Sequence, residues 1–252
     1  MSATSAPAAH QRRLLDVQAL DTRLAQIAHR ARSLPEHAAI TELDRTERTL
    51  RDELTAARTV ASDVEREAVR ADTEVEQVRA RAERTSARLA AGGAAAKELQ
   101  QLLAEAEALT RRLRSLEDAQ LEVMERQESA AEAVERAEER AGAVAADRAR
   151  LVAARDTALQ AARQEHEQVG AQRAGAVSSL DAGLVELYER VRARQDGLGA
   201  AALAGDACGG CRLPLTGTFR SRVASAGPDD VVQCEECDRI IVRGASEPEL
   251  RR

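Results

Sequence analysis

Residues 89–99 read Leu-Ala-Ala-Gly-Gly-Ala-Ala-Ala-Lys-Glu-Leu, and the reading of this stretch decides the fold. Paired glycines such as Gly92 and Gly93 take up the left-handed conformation without strain, so they end a helix and let the chain reverse. A long apolar repeat lies on either side. Counted back to Leu43 in alternating steps of three and four residues, twelve of the 14 positions ending at Leu89 are apolar, with Glu47 and Thr85 as exceptions. Counted forward from Leu99, a second series runs through Leu102, Leu109, Leu116, Val134, Val144 and Leu151 to Val169. Gln120, Gln127, Arg148, Arg155 and Glu165 interrupt it without moving its phase. Both series are heptad seams. If the chain reverses at the glycines, facing position numbers sum to about 188, which sets Leu54 against Val134 and Val75 against Leu113. A parallel dimer of one continuous helix is the alternative; the Gly-Gly break and the intrachain register argue against it.

Outward from the hairpin, Ser33-Leu34-Pro35-Glu36 combines an N-cap serine, a proline in the first turn and a glutamate three residues after the serine. One helix should end near Arg32 and the next start at once, giving a kink near Pro35. With the same register Leu14 faces about Ala174, so residues 176–196 overhang the hairpin. Their stripe of Val177, Leu180, Leu184, Leu187 and Val191 must cover the start of the chain, the terminal domain or a second protomer. Composition changes at Gly197, after which Gly, Pro, Cys and β-branched residues dominate. The expected organisation is a disordered arm over 1–10, a coiled-coil hairpin over 11–196, a small domain over 205–243 and a flexible tail over 244–252.

The 252 residues include 54 Ala, 36 Arg and one lysine, Lys97, while Tyr188 and Phe219 are the only aromatics. Large side chains each contribute roughly 1.5–3 kcal/mol when buried, so a chain this poor in them does not build a compact enzyme-like core. The net charge of −6 gives no bulk argument for nucleic acid or an anionic membrane. No uncharged apolar stretch is long enough to span a bilayer, and the start, MSATSAPAAHQRRLL, lacks the apolar core of a secretory leader.

All four cysteines fall in the last quarter, as Cys208-Gly-Gly-Cys211 and Cys234-Glu-Glu-Cys237 with 22 residues between the pairs. Two such turns aim four thiolates at one point, the pattern of a zinc ribbon. Cysteine used in this way suits a reducing cytoplasm. Strands are expected at 212–216, 218–223, 231–233 and 239–243, with a turn at Gly227-Pro228-Asp229. A thioredoxin-type redox site needs a CxxC opening a helix in a βαβ unit, which neither pair has. Spacing alone admits iron as well as zinc. The expectation is one Zn2+ per chain, held by Cys208, Cys211, Cys234 and Cys237. Four thiolates fill the coordination sphere, so the metal is structural and activates no water. The sequence has no phosphate loop, nucleophile elbow or dinucleotide fingerprint, and His10, His29, His37 and His166 belong to no ligand motif. No catalytic residue and no small-molecule substrate is expected.

Partner surfaces have two candidate locations. Residues 205–243 hold Arg212, Arg220, Arg222, Arg239 and Arg243 against six acids, with Phe219 as the single aromatic, so no base-stacking platform is available. Residues 79–114 at the hairpin tip, including Arg81, Arg84, Arg88 and Arg111, carry eight basic groups against four acids. Leu213, Leu215, Val231, Val232, Ile240 and Ile241 exceed what one small sheet readily buries. With the stripe at Leu180, Leu184, Leu187 and Val191, they point to the terminal domain as the main protein contact and to the tip as a secondary one.

Four stretches resemble a known family: LLDVQALDTRLAQIAHRARSLPEH (14–37), AAAKELQQLLAEAEALTRRL (94–113), SLEDAQLEVMERQE (115–128) and CGGC…CEECDRIIV (208–242). The chain is similar to the bacterial coiled-coil hairpins with a C-terminal C4-type zinc ribbon. The resemblance implies the four cysteines as zinc ligands and a non-enzymatic adaptor or nucleic-acid-binding role, with links to an alternative sigma factor, messenger RNA or secretion in some members. Asp238 stands where the family usually has Gly after the second cysteine pair; Asp tolerates the left-handed conformation better than most residues. The expected protein is mainly α: a long antiparallel coiled-coil hairpin joined to a small all-β zinc ribbon. It is expected to be a cytoplasmic adaptor or scaffold contacting a protein partner such as transcription or secretion machinery. The alternative is an RNA- or DNA-binding accessory protein using the ribbon arginines or the basic tip.

Overall fold

The computed structural model describes residues 5–245. In chain order they form α1 (Ala8–Arg32), α2 (Pro35–Ala91), α3 (Ala96–Ser178), α4 (Ala182–Arg194), β1 (Ala200–Ala204), β2 (Ala207–Cys208), α5 (Gly217–Ser225), β3 (Val232–Gln233) and β4 (Ile240–Val242). Two compact units share these elements: residues 38–152, and residues 1–37 together with 153–252. No helix among the described residues is long and apolar enough to cross a membrane.

The unit of residues 38–152 is the antiparallel hairpin. Gly92 and Gly93 have φ of 68° and 82°, and a Cβ on either would meet nothing within 4 Å. Glycine is needed there for its backbone freedom and not for space. The seam buries Leu50, Val64, Val75 and Thr85 from α2 against Leu102, Leu109, Leu116, Ala130 and Ala137 from α3. Cross-arm ion pairs fix the antiparallel sense. Near the tip Arg88 meets Glu98 at 3.0 Å; further along Arg79 meets Glu117 at 3.0 Å and Arg58 meets Glu138 at 2.6 Å. Their position numbers sum to 186 at the tip and 196 beyond it, a range that contains the sequence register and spans the reach of a long side chain over one turn.

The other unit joins helices and sheet in one core. Its four-stranded sheet has the order β2-β1-β4-β3, with β1 parallel to β4 and the other pairs antiparallel. Leu14, Leu15 and Val17 of α1, Leu184, Leu187, Tyr188 and Val191 of α4, and Ala200, Ala202, Ile240 and Val242 of the sheet pack together. The overhanging stripe therefore covers the start of the chain and the terminal domain, two of the three options its position allowed.

Several local expectations change. The helix break before Pro35 is present, but Ser33 does not cap α2: its hydroxyl donates back to the His29 carbonyl at 2.9 Å and closes α1. The overhanging stretch 176–196 divides between the end of α3 and α4. The chain breaks at Leu180, and Asp181 caps α4 by accepting a hydrogen bond from Leu184 N at 2.9 Å. The disordered arm over 1–10 is corrected from Ser5 onward. Ser5 bridges Asp230, Ala6 is buried, and Ala8 N donates to the Asp229 carboxylate at 3.0 Å, which closes the start of α1. Residues 1–4 of that arm, and 246–252 of the expected tail, lie outside the described residues. Residues 218–223 form α5 instead of a strand, because Thr216 caps the segment by accepting from Phe219 N at 3.3 Å. Residues 212–216 contribute one isolated bridge, Ala207 to Pro214, where a strand was expected.

Candidate metal centre

Each cysteine pair sits on a tight backbone knuckle. In the first, Arg212 N donates to Cys208 O at 2.7 Å; in the second, Asp238 N donates to Cys234 O at 2.9 Å. Arg212 and Asp238 occupy matching positions and both are left-handed, with φ of 62° and 57°. Asp238 thus makes the left-handed turn without a glycine. Room for the first knuckle comes from Gly209 and Gly210, whose added Cβ atoms would lie 2.6 Å from Ala202 O and 2.6 Å from Arg239 Cδ.

The knuckles bring four sulfurs together. Cys208 Sγ lies 3.9 Å from Cys237 Sγ and Cys211 Sγ lies 3.9 Å from Cys234 Sγ, with all four Sγ atoms within 4.8 Å of one another. A tetrahedral zinc with ~2.3 Å bonds requires sulfurs about 3.8 Å apart, so the donor set fits the ion closely. Without a cation the site favours protons. Burial pushes the Cys208 thiol up and drives Cys234 up to about 12. Cys237 moves down: burial opposes ionisation there, but hydrogen bonds from Arg239 and from the neighbouring thiols outweigh it. Zinc reverses this balance by binding thiolates.

Helix α5 seals the centre. Phe219, Leu215 and Val223 pack with Val232 and Ile241 around Cys208 and Cys234. Glu235, between the cysteines of the second knuckle, accepts from Thr216 N at 3.2 Å and from Thr216 Oγ1 at 2.8 Å, which ties the start of α5 to the metal loop.

A coiled-coil hairpin followed by four converging thiolates is the arrangement that known proteins share with this one. Residues 17–196 match the model of the CT398-like coiled coil hairpin domain, and residues 207–241 match the C4-type zinc ribbon domain. The chain belongs to the CT398-like coiled-coil hairpin family. An uncharacterized protein of Mycobacterium tuberculosis is 39% identical over 236 residues, covering 93% of this chain and 96% of its own. A solved structure from Mycobacterium smegmatis is 34% identical, covers 95% of this chain and all of its own, and superposes with a TM-score of 0.81. CT398 from Chlamydia trachomatis shares the fold, with a TM-score of 0.61 and 16% identity over 93% of this chain and 97% of its own. The four cysteines are the ligands of a C4 zinc ribbon, and the zinc they hold is structural. That family match resolves the choice between zinc and iron, which spacing left open.

The candidate contact residues are placed differently from what their charge suggested. Arg239 donates from Nε to Leu198 O at 3.0 Å and from Nη2 to Gln195 O at 3.3 Å, capping the end of α4. Arg220 pairs with Asp206, and the Arg222 guanidinium lies 4.4 Å over the Phe219 ring. Arg212 is exposed at its turn. At the tip, Arg81 pairs with Glu105, Arg88 with Glu98 and Arg111 with Glu107, whereas Arg84 makes no ion pair among the described residues. The ribbon's apolar excess is largely consumed internally: Leu215, Val232, Ile240 and Ile241 are buried, and Leu213 remains 49% exposed.

Two residue groups escaped the sequence reading. Arg243 donates to the carbonyls of Val223, Ala226, Gly227 and Asp230, holding the end of α5 and the loop after it. Asp21, whose carboxylate is 3% exposed, accepts from Arg173 Nε at 2.6 Å, Arg192 Nη1 at 3.3 Å and the Tyr188 hydroxyl at 2.7 Å. Gln18 Oε1 completes the cluster by accepting from Gly199 N at 2.7 Å, which ties α1 to the segment entering β1. Burial, and then the bond to Asp21, push the Tyr188 hydroxyl well above the usual phenol range. One signal was available: Tyr188 is the only tyrosine, standing within an apolar stripe, and the N-terminal helix places Gln18 and Asp21 one turn apart.

Proposed function

We propose that the protein is a non-enzymatic, zinc-stabilised adaptor that works in the cytoplasm by holding a protein partner, of the transcription or secretion class that the family resemblance implies. The carrying observation is the internal use of four of the ribbon's five arginines, with Arg212 left exposed. Arg239 and Arg243 are spent on backbone carbonyls, Arg220 on Asp206 and Arg222 on Phe219. A ribbon that reads phosphate would leave such groups free. The closed thiolate site offers no open coordination position, which supports a structural role over catalysis. The exposed Leu213 beside the first knuckle is the apolar anchor of the ribbon face.

One observation favours the nucleic-acid alternative: Arg84, Lys97 and Arg114 near the tip make no ion pair among the described residues. A titration of the full chain against single-stranded and duplex nucleic acid at graded salt separates the two readings. The adaptor reading expects weak binding with a shallow log-log salt dependence, and affinity capture of a protein partner that survives nuclease. A slope of several units, lost on changing Arg84, Lys97 and Arg114 together to Ala, would replace it with the nucleic-acid reading.

A further inference from the structure

Arg239, the second residue after Cys237, touches three separate parts of the zinc-bearing unit. Its backbone N–H and its side chain both hydrogen-bond the Cys237 sulfur. Its Nε donates to Leu198 O at 3.0 Å and its Nη2 to Gln195 O at 3.3 Å, at the end of α4. Its stem crosses the first knuckle, where a Cβ added to Gly210 would lie 2.6 Å from Arg239 Cδ. One half-buried side chain therefore joins both cysteine knuckles to the segment that leaves α4. That segment is gripped by other groups as well. Gln18 of α1 donates to Gly197 O at 3.0 Å and accepts from Gly199 N at 2.7 Å, while Ile240 N donates to Gly199 O at 3.0 Å.

The charge and the shape of the guanidinium suit this position. Four thiolates around one divalent ion leave two formal negative charges, and the last carbonyls of α4 carry the negative end of the helix dipole. A cation between them lowers the electrostatic cost of both. A planar fork of N–H donors reaches a sulfur and two carbonyls at once, which the point-like ammonium of lysine matches poorly.

We infer that Arg239 is a positioning residue of the metal centre, holding Cys237 in place for zinc and hitching the second knuckle to the end of α4. Zinc binding and closure of the joint at residues 195–200 then strengthen each other, because the side chain that orders one orders the other. The inference rests on the four cysteines as zinc ligands and is independent of which partner the protein holds.

Competition for zinc between the full chain and a chromophoric chelator tests this. Arg239→Ala should bind zinc about 10–100-fold more weakly, the usual consequence of losing a group that stands behind a ligand. Arg239→Lys keeps the charge without the fork and should fall between Arg239→Ala and the native chain. Gly210→Ala places its methyl group on the path of the Arg239 stem, so it should also weaken zinc binding, yet add little to Arg239→Ala. With Co2+ in place of zinc, the sulfur-to-metal charge-transfer band should move to longer wavelength in Arg239→Ala, because the sulfur loses a hydrogen-bond donor. A helix cap with no part in the metal centre would leave that band where it is. In the zinc-loaded chains, amide exchange at residues 195–199 should be faster in Arg239→Ala than in the native protein. Native zinc affinity in Arg239→Ala, an unmoved cobalt band, or full additivity with Gly210→Ala would overturn the inference.

Discussion

The hairpin of residues 38–152 and the zinc-bearing unit bury surface in two different ways. The largest fully buried side chains, Tyr188, Leu14, Ile27, Leu184, Ile240, Ile241, Val17, Val242, Cys208 and Cys234, all belong to the zinc-bearing unit. The hairpin instead repeats a small step many times: an Ala, Leu or Val turned inward on each turn and exposed Arg–Glu pairs beside it. Such a structure has no single residue on which everything depends, and its tolerance is set by length and periodicity. The zinc-bearing unit concentrates its stability in a few groups, namely the metal, one buried carboxylate and two aromatics. Sensitivity to change should differ between them accordingly.

Metal removal should have the largest effect. A small sheet of short strands depends on its ion for folding, and apparent zinc binding in such modules is worth about 10 kcal/mol or more. One zinc per chain is expected by elemental analysis. Chelation, or Cys234→Ser, should unfold β1–β4 and α5 and loosen α1 and α4, which share their core. Tyr188, the only tyrosine in a chain without tryptophan, should report this by fluorescence, while most far-UV helicity persists. Loss of both signals together would break the comparison between the two regions. Acid should act in the same direction. The metal-free Cys234 thiol is pushed up to about 12, so zinc must displace its proton at neutral pH, and affinity should fall as pH falls.

The buried carboxylate comes next. Asp21→Ala removes the buried carboxylate shared by Arg173, Arg192 and Tyr188; Glu189 still pairs with both arginines, so the loss is that of the buried hydrogen bonds, on the order of 2 kcal/mol. Urea unfolding followed at Tyr188 measures it. Asp21→Asn keeps an acceptor for the hydroxyl and should lose less. An Asp21→Ala variant as stable as the native chain would show that the core is held by packing alone.

The smallest effect is expected on the hairpin surface. Arg81→Ala or Arg88→Ala removes an exposed cross-arm pair, and thermal melting should register about 0–1 kcal/mol. A loss as large as that of Asp21→Ala would mean that the ladder, and not the seam, holds the arms together.

Much of this architecture was legible in the chain itself. Helical period is a local property repeated over more than a hundred residues, so the seam from Leu43 to Leu89, its return from Leu99 and the reversal at Gly92-Gly93 could be read directly. Cysteine spacing is equally local: two CxxC turns leave little choice but a shared metal. Short segments were harder. Residues 218–223 alternate well enough for a strand, yet the Thr216 cap and its bond to Glu235 favour α5. Ser33 satisfied the rule for starting a helix and instead ended one.

What the sequence by itself determined, then, was the hairpin, its turn and the four zinc ligands, because each rests on periodicity or on spacing between near neighbours. Tertiary structure alone decided where the surplus side chains went. The stripe at Leu184, Leu187 and Val191 read as a docking surface until α1 was seen to cover it. The ribbon arginines read as free cations until Arg239 and Arg243 were found capping helix ends. Asp21 read as one acid among many, although it lies at the centre of a cluster drawn from residues more than 150 positions away. Burial and hydrogen-bond partnership are relations between distant segments, and a charge or an apolar side chain acquires its role only when the fold supplies what stands opposite it.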